Sequence, residues 1–319
     1  MAAWVGYQVM KRRYVTADVF TKEMFGGNPV AVVLDAEGLS TAQMQAIALE
    51  FNYGETTFVL PPRDPTHTAH VRIFTARAEV PFAGHPNVGT AFLLAREREA
   101  EGESVVDAFV FEEAAGLVPL TVIRDSGVTV GAELRAPEPL SVRSHVSCEL
   151  AAQCLSLPSG DITVETHPPQ VLSVGLPFLV VELASRDALR TAKPNLTAYQ
   201  SLLPLDGADG IYAYTVHNRE ASSTTEVELH ARMFAPFDGS LEDPATGSAT
   251  AATIARLAQL RPSVADRRWR VHQGVDMGRP SLLLGRTTVR NGDLESVHVG
   301  GTCVAVMEGT FTLVGDDSI

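Results

Sequence analysis

Three ionisable residues, Glu55, His85 and Asp243, stand where a chain of this kind could do chemistry. Glu55 follows Gly54 and opens the run Thr56-Thr57-Phe58-Val59. A carboxylate at the mouth of an apolar strand can project into a space with little water. Desolvation then favours its neutral form and brings it toward the range in which a general base or proton shuttle works. The same position suits an exposed glutamate that merely starts a strand. His85 and Asp243 each precede a proline, Pro86 and Pro244, that opens a predicted helix. Proline is favoured there because its missing N–H has no partner in the first turn. Asp243 is equally a good N-cap, whereas histidine is not a preferred one. Behind these residues, Gly89-Thr90 and Gly247-Ser248 bring hydroxyls to two helix starts, where backbone N–H groups can hold a carboxylate.

The second and third of these residues lie in a motif that occurs twice. Residues 72–91 read RIFTARAEVPFAGHPNVGTA and residues 232–249 read RMFAPFDGSLEDPATGSA. Aligned at Pro86 and Pro244, Gly89 pairs with Gly247, Thr90 with Ser248 and His85 with Asp243. A duplicated half with an unlike ionisable residue at the same point predicts two similar domains that contribute different groups to one cleft.

The elements that position these residues follow from pattern. Strands are predicted at YQVMKRRYVTADVF and PVAVVLDA, joined by the turn Gly26-Gly27-Asn28-Pro29. Ser40 is an N-cap signal for the helix TAQMQAIALEF, which Asn52-Tyr53-Gly54 ends. Strands follow at ETTFVLPP and HTAHVRIFTA, then a helix over PNVGTAFLLARERE. The proline-rich segment Ala136–Pro139 is the expected linker, giving domains 1–136 and 137–319, with a last strand that can return to the first domain. The second half has strands at LSVGLPFLVVEL, GIYAYTV and VELHARMFA, a helix over PATGSATAATIARLAQL, and a strand-rich end. That helix is small or apolar nearly all round, so a sheet is expected to wrap it. Strands outnumber helices without regular alternation, which predicts an α+β fold.

Composition excludes several classes. A net charge of −13 over 319 residues disfavours nucleic acid and anionic membranes as partners. No apolar run approaches the ~20 residues of a membrane span. The first residues lack a secretory pattern, and the three cysteines, Cys148, Cys154 and Cys303, form no framework. The expectation is a cytoplasmic protein with reduced thiols. His67 and His70 fall on opposite faces of a strand and make a poor metal pair. No phosphate-binding glycine loop or G-x-S-x-G elbow occurs, so neither a metal nor a cofactor is expected.

The chain resembles the PhzF family of phenazine-biosynthesis isomerases, in the diaminopimelate epimerase-like superfamily. The resemblance rests on DVFTKEMFGGNP at 18–29, NYGETTFV at 52–59, AGHPNVGTA at 83–91 and SVGLPF at 173–178. It continues through RMFAP at 232–236, EDPATGSA at 242–249 and QGVDMGRPS at 273–281. It implies two similar domains, each a mixed sheet curled around a central helix, with the active site in the cleft between them. It further implies that Glu55 transfers a proton, that His85 and Asp243 bind and polarise substrate, and that Gly84 and Ser248 help to hold it. Related racemases use two opposed cysteines in the same two bends, and neither bend has one here. One carboxylate that moves a proton within an unsaturated cyclic carboxylate such as trans-2,3-dihydro-3-hydroxyanthranilate gives isomerisation, without a cofactor and in a homodimer. The alternatives are an epimerase or dehydratase of an amino or hydroxy acid, and a non-catalytic binding protein.

Overall fold

A computed structural model describes residues 9–103, 107–217, 225–237, 241–262 and 265–314. The expectation of no secretory pattern falls partly on residues 1–8, outside the described residues, as does the middle of the second bend at 238–240. The fold is α+β and strand-rich. Contacts divide the chain into two units. One comprises Met1–Phe25, Pro29–Ala132 and Thr302–Ile319, and the other Gly26–Asn28 and Glu133–Gly301. The segment Ala136–Pro139 lies just inside the second.

In the first unit the order is β1 (Val9–Val19), β2 (Asn28–Val33), α1 (Thr41–Phe51), β3 (Glu55–Leu60), β4 (Ala69–Phe74), β5 (Glu79–Val80), α2 (Gly84–Ala100), β6 (Ala108–Glu113), β7 (Gly116–Asp125) and β8 (Val128–Arg135), the last running on into the second unit. Helix α1 starts as its residues dictate. The Ser40 hydroxyl accepts from the Gln43 N–H while the Gln43 side chain accepts from the Ser40 N–H, and Asn52 closes the helix in the left-handed region. Strand β2 runs parallel to β3, with Val30 opposite Glu55, and β3 is antiparallel to β4. Strand β4 then pairs antiparallel with β5 and parallel with β6, which turns back into β7. Helix α2 packs on β1, β3 and β7. Gly89 makes its approach possible, because a Cβ there would lie 2.6 Å from Val30 Cγ1 and 2.9 Å from Val19 Cγ2.

The second unit continues with β9 (Ser141–His145), α3 (Cys148–Cys154), β10 (Gln170–Ser173), β11 (Pro177–Glu182), α4 (Arg186–Thr191), α5 (Leu196–Leu202), β12 (Ile211–Val216), β13 (Glu226–Phe234), β14 (Glu242–Asp243), α6 (Gly247–Gln259), β15 (Asp266–Gln273), β16 (Ser281–Arg290) and β17 (Asp293–Val314). Its pairings repeat those of the first. Strand β11 is parallel to β12, β12 antiparallel to β13, β13 antiparallel to β14 and parallel to β15, and β15 antiparallel to β16. Helix α6 packs on β10, β11, β15 and β16, and its alanines are buried as the small-residue pattern predicts. Cys154 is buried in the core under α3, with Cys148 packed against it.

Three expectations need correction. The stretch LSVGLPFLVVEL is a hairpin, β10 and β11, that turns at Gly175 with φ +145°. His67 precedes β4 and lies in a turn, where its Nδ1 is 2.9 Å from Glu112. The two helix starts also differ. Pro86 is the third residue of α2, whereas Pro244 lies before α6, whose N-cap is Thr246. Asp243 is therefore not an N-cap, and His85 lies inside its helix.

Candidate active site

Strand β3 and helix α2 each bring one part of the first constellation into place. Glu55 is the first residue of β3, and its side chain retains 22% exposure, so it is neither buried nor the freely solvated strand-start glutamate. His85 is the second residue of α2, buried, with Nε2 3.4 Å from Glu55 Oε2. Burial drives the imidazole down to about 3, outweighing the hydrogen bond accepted by the Pro29 carbonyl. The pair is thus a neutral imidazole beside a carboxyl group and not an ion pair. Gly84, the first residue of α2, is buried next to it. Below, the Thr57 and Thr90 hydroxyls meet at 2.8 Å and tie β3 to the helix.

Asp243 belongs to the second constellation. It sits on β14 opposite Met233, and both carboxylate oxygens accept from neighbours. Asn28 Nδ2 donates to Oδ1 at 2.8 Å and to the Ala245 carbonyl at 2.9 Å. The Thr246 hydroxyl donates to Oδ2. Gln273 Nε2 donates to the Asp243 main-chain carbonyl at 2.9 Å, and Gln273 Oε1 accepts from the Thr246 N–H at 3.1 Å. Ser248 is half-buried as the second residue of α6. Asn28, Gln273 and Arg279 lie within the motifs FGGNP and QGVDMGRPS, yet residue type and spacing gave them no role. The Asn28–Asp243 contact spans 215 positions of sequence, beyond the reach of any local pattern.

Strand register shows how the two copies diverge. Phe74 lies opposite Thr56, and Phe234 lies opposite Ile211, so Thr56 corresponds to Ile211 and Glu55 to Gly210. A Cβ at Gly210 would lie 2.4 Å from Met233 Cε and 3.0 Å from the Phe234 carbonyl oxygen. The second unit thus has no counterpart of Glu55, and a side chain there would be crowded by Met233 and the Phe234 carbonyl. Beside this position the hydroxyl link persists, from Tyr212 to Thr250 at 2.8 Å.

A family model for phenazine biosynthesis-like proteins, PhzC-PhzF, matches residues 17–309. The chain belongs to the PhzF family. An uncharacterised isomerase of Mesorhizobium japonicum is 40% identical to this PhzF-family chain over 302 residues, covering 93% of it and 98% of the relative. A trans-2,3-dihydro-3-hydroxyanthranilate isomerase of Pseudomonas chlororaphis is 34% identical over 300 residues, covering 94% and 99%. The crystal structure of a PhzF-family phenazine biosynthesis protein from Bacillus anthracis superposes with a TM-score of 0.81 at 26% identity, covering 95% and 99%. Among the described residues of this PhzF-family protein, no helix is long and apolar enough to cross a membrane.

Proposed function

We propose that the protein is an isomerase that moves a proton within a small unsaturated cyclic carboxylate, and that Glu55 carries the proton. The observation behind this reading is the asymmetry of the two copies. A carboxyl group stands beside a neutral imidazole at Glu55 and His85, while Gly210 leaves the other copy without an acid at the corresponding strand position. Racemisation by two opposed bases calls for a base in each half. One base that removes a proton from carbon and returns it to another carbon of a conjugated system gives an isomer, with no change of oxidation state.

The roles follow from the chemistry of each group. Glu55 removes an activated C–H proton, and the electron pair shifts along the conjugated system. Glu55 then delivers a proton, exchanged with solvent while it sits on the carboxyl group, to the far carbon. A proline carbonyl can only accept, so the His85 N–H is directed to Pro29 and Nε2 faces Glu55 as a lone pair. His85 in this form receives a donor on the substrate or steadies the carboxyl proton of Glu55 between the two transfers. Asp243 accepts from an amine or hydroxyl of the substrate. Ser248, Gly84 and the N–H groups at the two helix starts take its carboxylate. No step calls for a cofactor.

The experiment is incubation with trans-2,3-dihydro-3-hydroxyanthranilate in D₂O, followed by NMR, with Glu55→Gln as the control. Conversion of the ring with deuterium uptake is expected in the wild type. The variant should bind normally and lose at least the ~10²–10⁴-fold typical of a general acid–base group. Full activity in Glu55→Gln sinks the role of Glu55. Inversion at one carbon or release of water, without migration of the double bond, points instead to an epimerase or dehydratase.

A further inference from the structure

Asn28 and Arg279 form a built support behind Asp243. Asn28 is buried, and its single amide nitrogen holds both the Asp243 carboxylate and the Ala245 carbonyl, one on either side of Pro244. Its own segment is held in turn. Arg279 Nε donates to the Gly27 carbonyl at 2.8 Å and Nη2 to the Gly26 carbonyl at 2.7 Å, while the Gly27 N–H donates to the Pro280 carbonyl at 3.0 Å. The loop that carries Arg279 has no slack. Gly274 has φ +72°, and a Cβ on it would lie 2.3 Å from the Arg279 carbonyl oxygen and 2.6 Å from that of Pro244.

We propose that Asn28 is a positioning residue that aims the Asp243 carboxylate at the substrate, and that Arg279 fixes Asn28 for this task by clamping the carbonyls of Gly26 and Gly27. A carboxylate oxygen accepts in more than one direction, so a fixed donor behind it sets the direction left for the substrate. With Asn28 on Oδ1 and Thr246 on Oδ2, Asp243 is kept as an acceptor rather than an acid. The group it receives is accordingly an N–H or O–H donor, which narrows the substrate class to amino or hydroxy carboxylates. This assignment rests on the role given to Asp243 in the proposed function.

The test uses the full chain with ¹³C-labelled aspartate, the Asp243 carboxyl signal being the one that vanishes in Asp243→Asn. The pH midpoint of that signal is followed in the wild type, Asn28→Asp and Arg279→Lys, alongside kcat and KM for trans-2,3-dihydro-3-hydroxyanthranilate. Asn28→Asp replaces a donor by a second carboxylate and should raise the Asp243 midpoint. Arg279→Lys cannot fork to two carbonyls and should shift it in the same direction by less. In both, kcat/KM should fall, ~10–100-fold for Asn28→Asp, mainly through KM. An Asp243 midpoint unchanged in both variants overturns the proposal, whatever happens to turnover. If the wild type leaves the probe untouched, the substrate reading fails while the titration still decides the role of Asn28. If Asn28→Asp does not fold, an unchanged midpoint in Arg279→Lys is sufficient to overturn it.

Discussion

Glu113 ends strand β6 as a half-buried residue, but both its carboxyl oxygens are shut off from water. Burial pushes the group up to about 8, against the opposing pull of the Asn87 side chain on α2. In the unfolded chain it ionises near 4.5. Between these values the folded state holds a proton that the unfolded state has released. Its stabilising contribution is therefore full below pH 4.5 and lost as pH rises through 8. Glu113→Gln mimics the protonated acid at every pH. Urea unfolding should show the variant more stable than the wild type at pH 8, by ~3 kcal/mol or less, with the gap closing near pH 4. Such a group could not be found in the sequence, where Glu113 is one of two adjacent glutamates. Its neighbour Glu112 has the opposite fate, taking the N–H groups of Arg63 and Asp64 together with His67 and falling to about 2. Glu55, by contrast, stood out in the sequence because a glycine precedes it and a strand-like run follows.

At the scale of elements, the Arg-x-Phe strands of the two copies make the same fork. Arg72 grips Glu79 through Nε and Nη2, both at 2.7 Å, and Arg232 grips Glu242 at 2.9 and 2.7 Å. Each guanidinium lies over the phenylalanine two residues on. The forks are not equivalent in energy. Arg72 keeps 20% of its side-chain exposure and Glu79 keeps 33%, whereas Arg232 and Glu242 keep 10% and 11%. Arg232 also donates to the carbonyls of Leu189, Arg190 and Ala192 and so closes the end of α4. Arg232→Met should cost about 3–5 kcal/mol, because it strands a buried carboxylate and several helix-end carbonyls. Arg72→Met should cost about 1 kcal/mol or less. Urea midpoints of the two variants check the contrast, and equal losses would contradict it. The duplication itself was legible, as were the Ser40 N-cap of α1 and the burial of the small-residue helix α6. The offset between the copies was not. Strand register sets Asp243 level with Val80, while alignment at the prolines sets it level with His85. The extra turn Gly84–Val88 of α2 absorbs the difference, and Asn87 Nδ2 donates to the Ala83 carbonyl within it. Proline marks a helix start only to within a turn, so the alignment alone could not reveal it.

For the molecule as a whole, the decisive feature is the end of β17. Residues 302–314 belong with the first unit, where they pair along β1 from Cys303 opposite Val19 to Val314 opposite Val9. Ala17 and Val19 of β1 are fully buried, so this pairing is part of the core and not a trailing edge. Synthesis makes most of the first unit early, yet that unit must wait for residues 302–314. The second unit, complete at Gly301, can close first. At ~5–20 residues per second, the first half of the protein spends on the order of ten seconds or more without a strand that its core requires. A stop after Gly301 removes the strand that pairs with β1 and should open the first unit. Protease cleavage of the shortened protein should accordingly begin within residues 9–132 and spare residues 133–301. Early cuts in both regions, or in neither, would contradict this order of assembly. The half that carries Glu55, begun first, is therefore the later of the two to be completed.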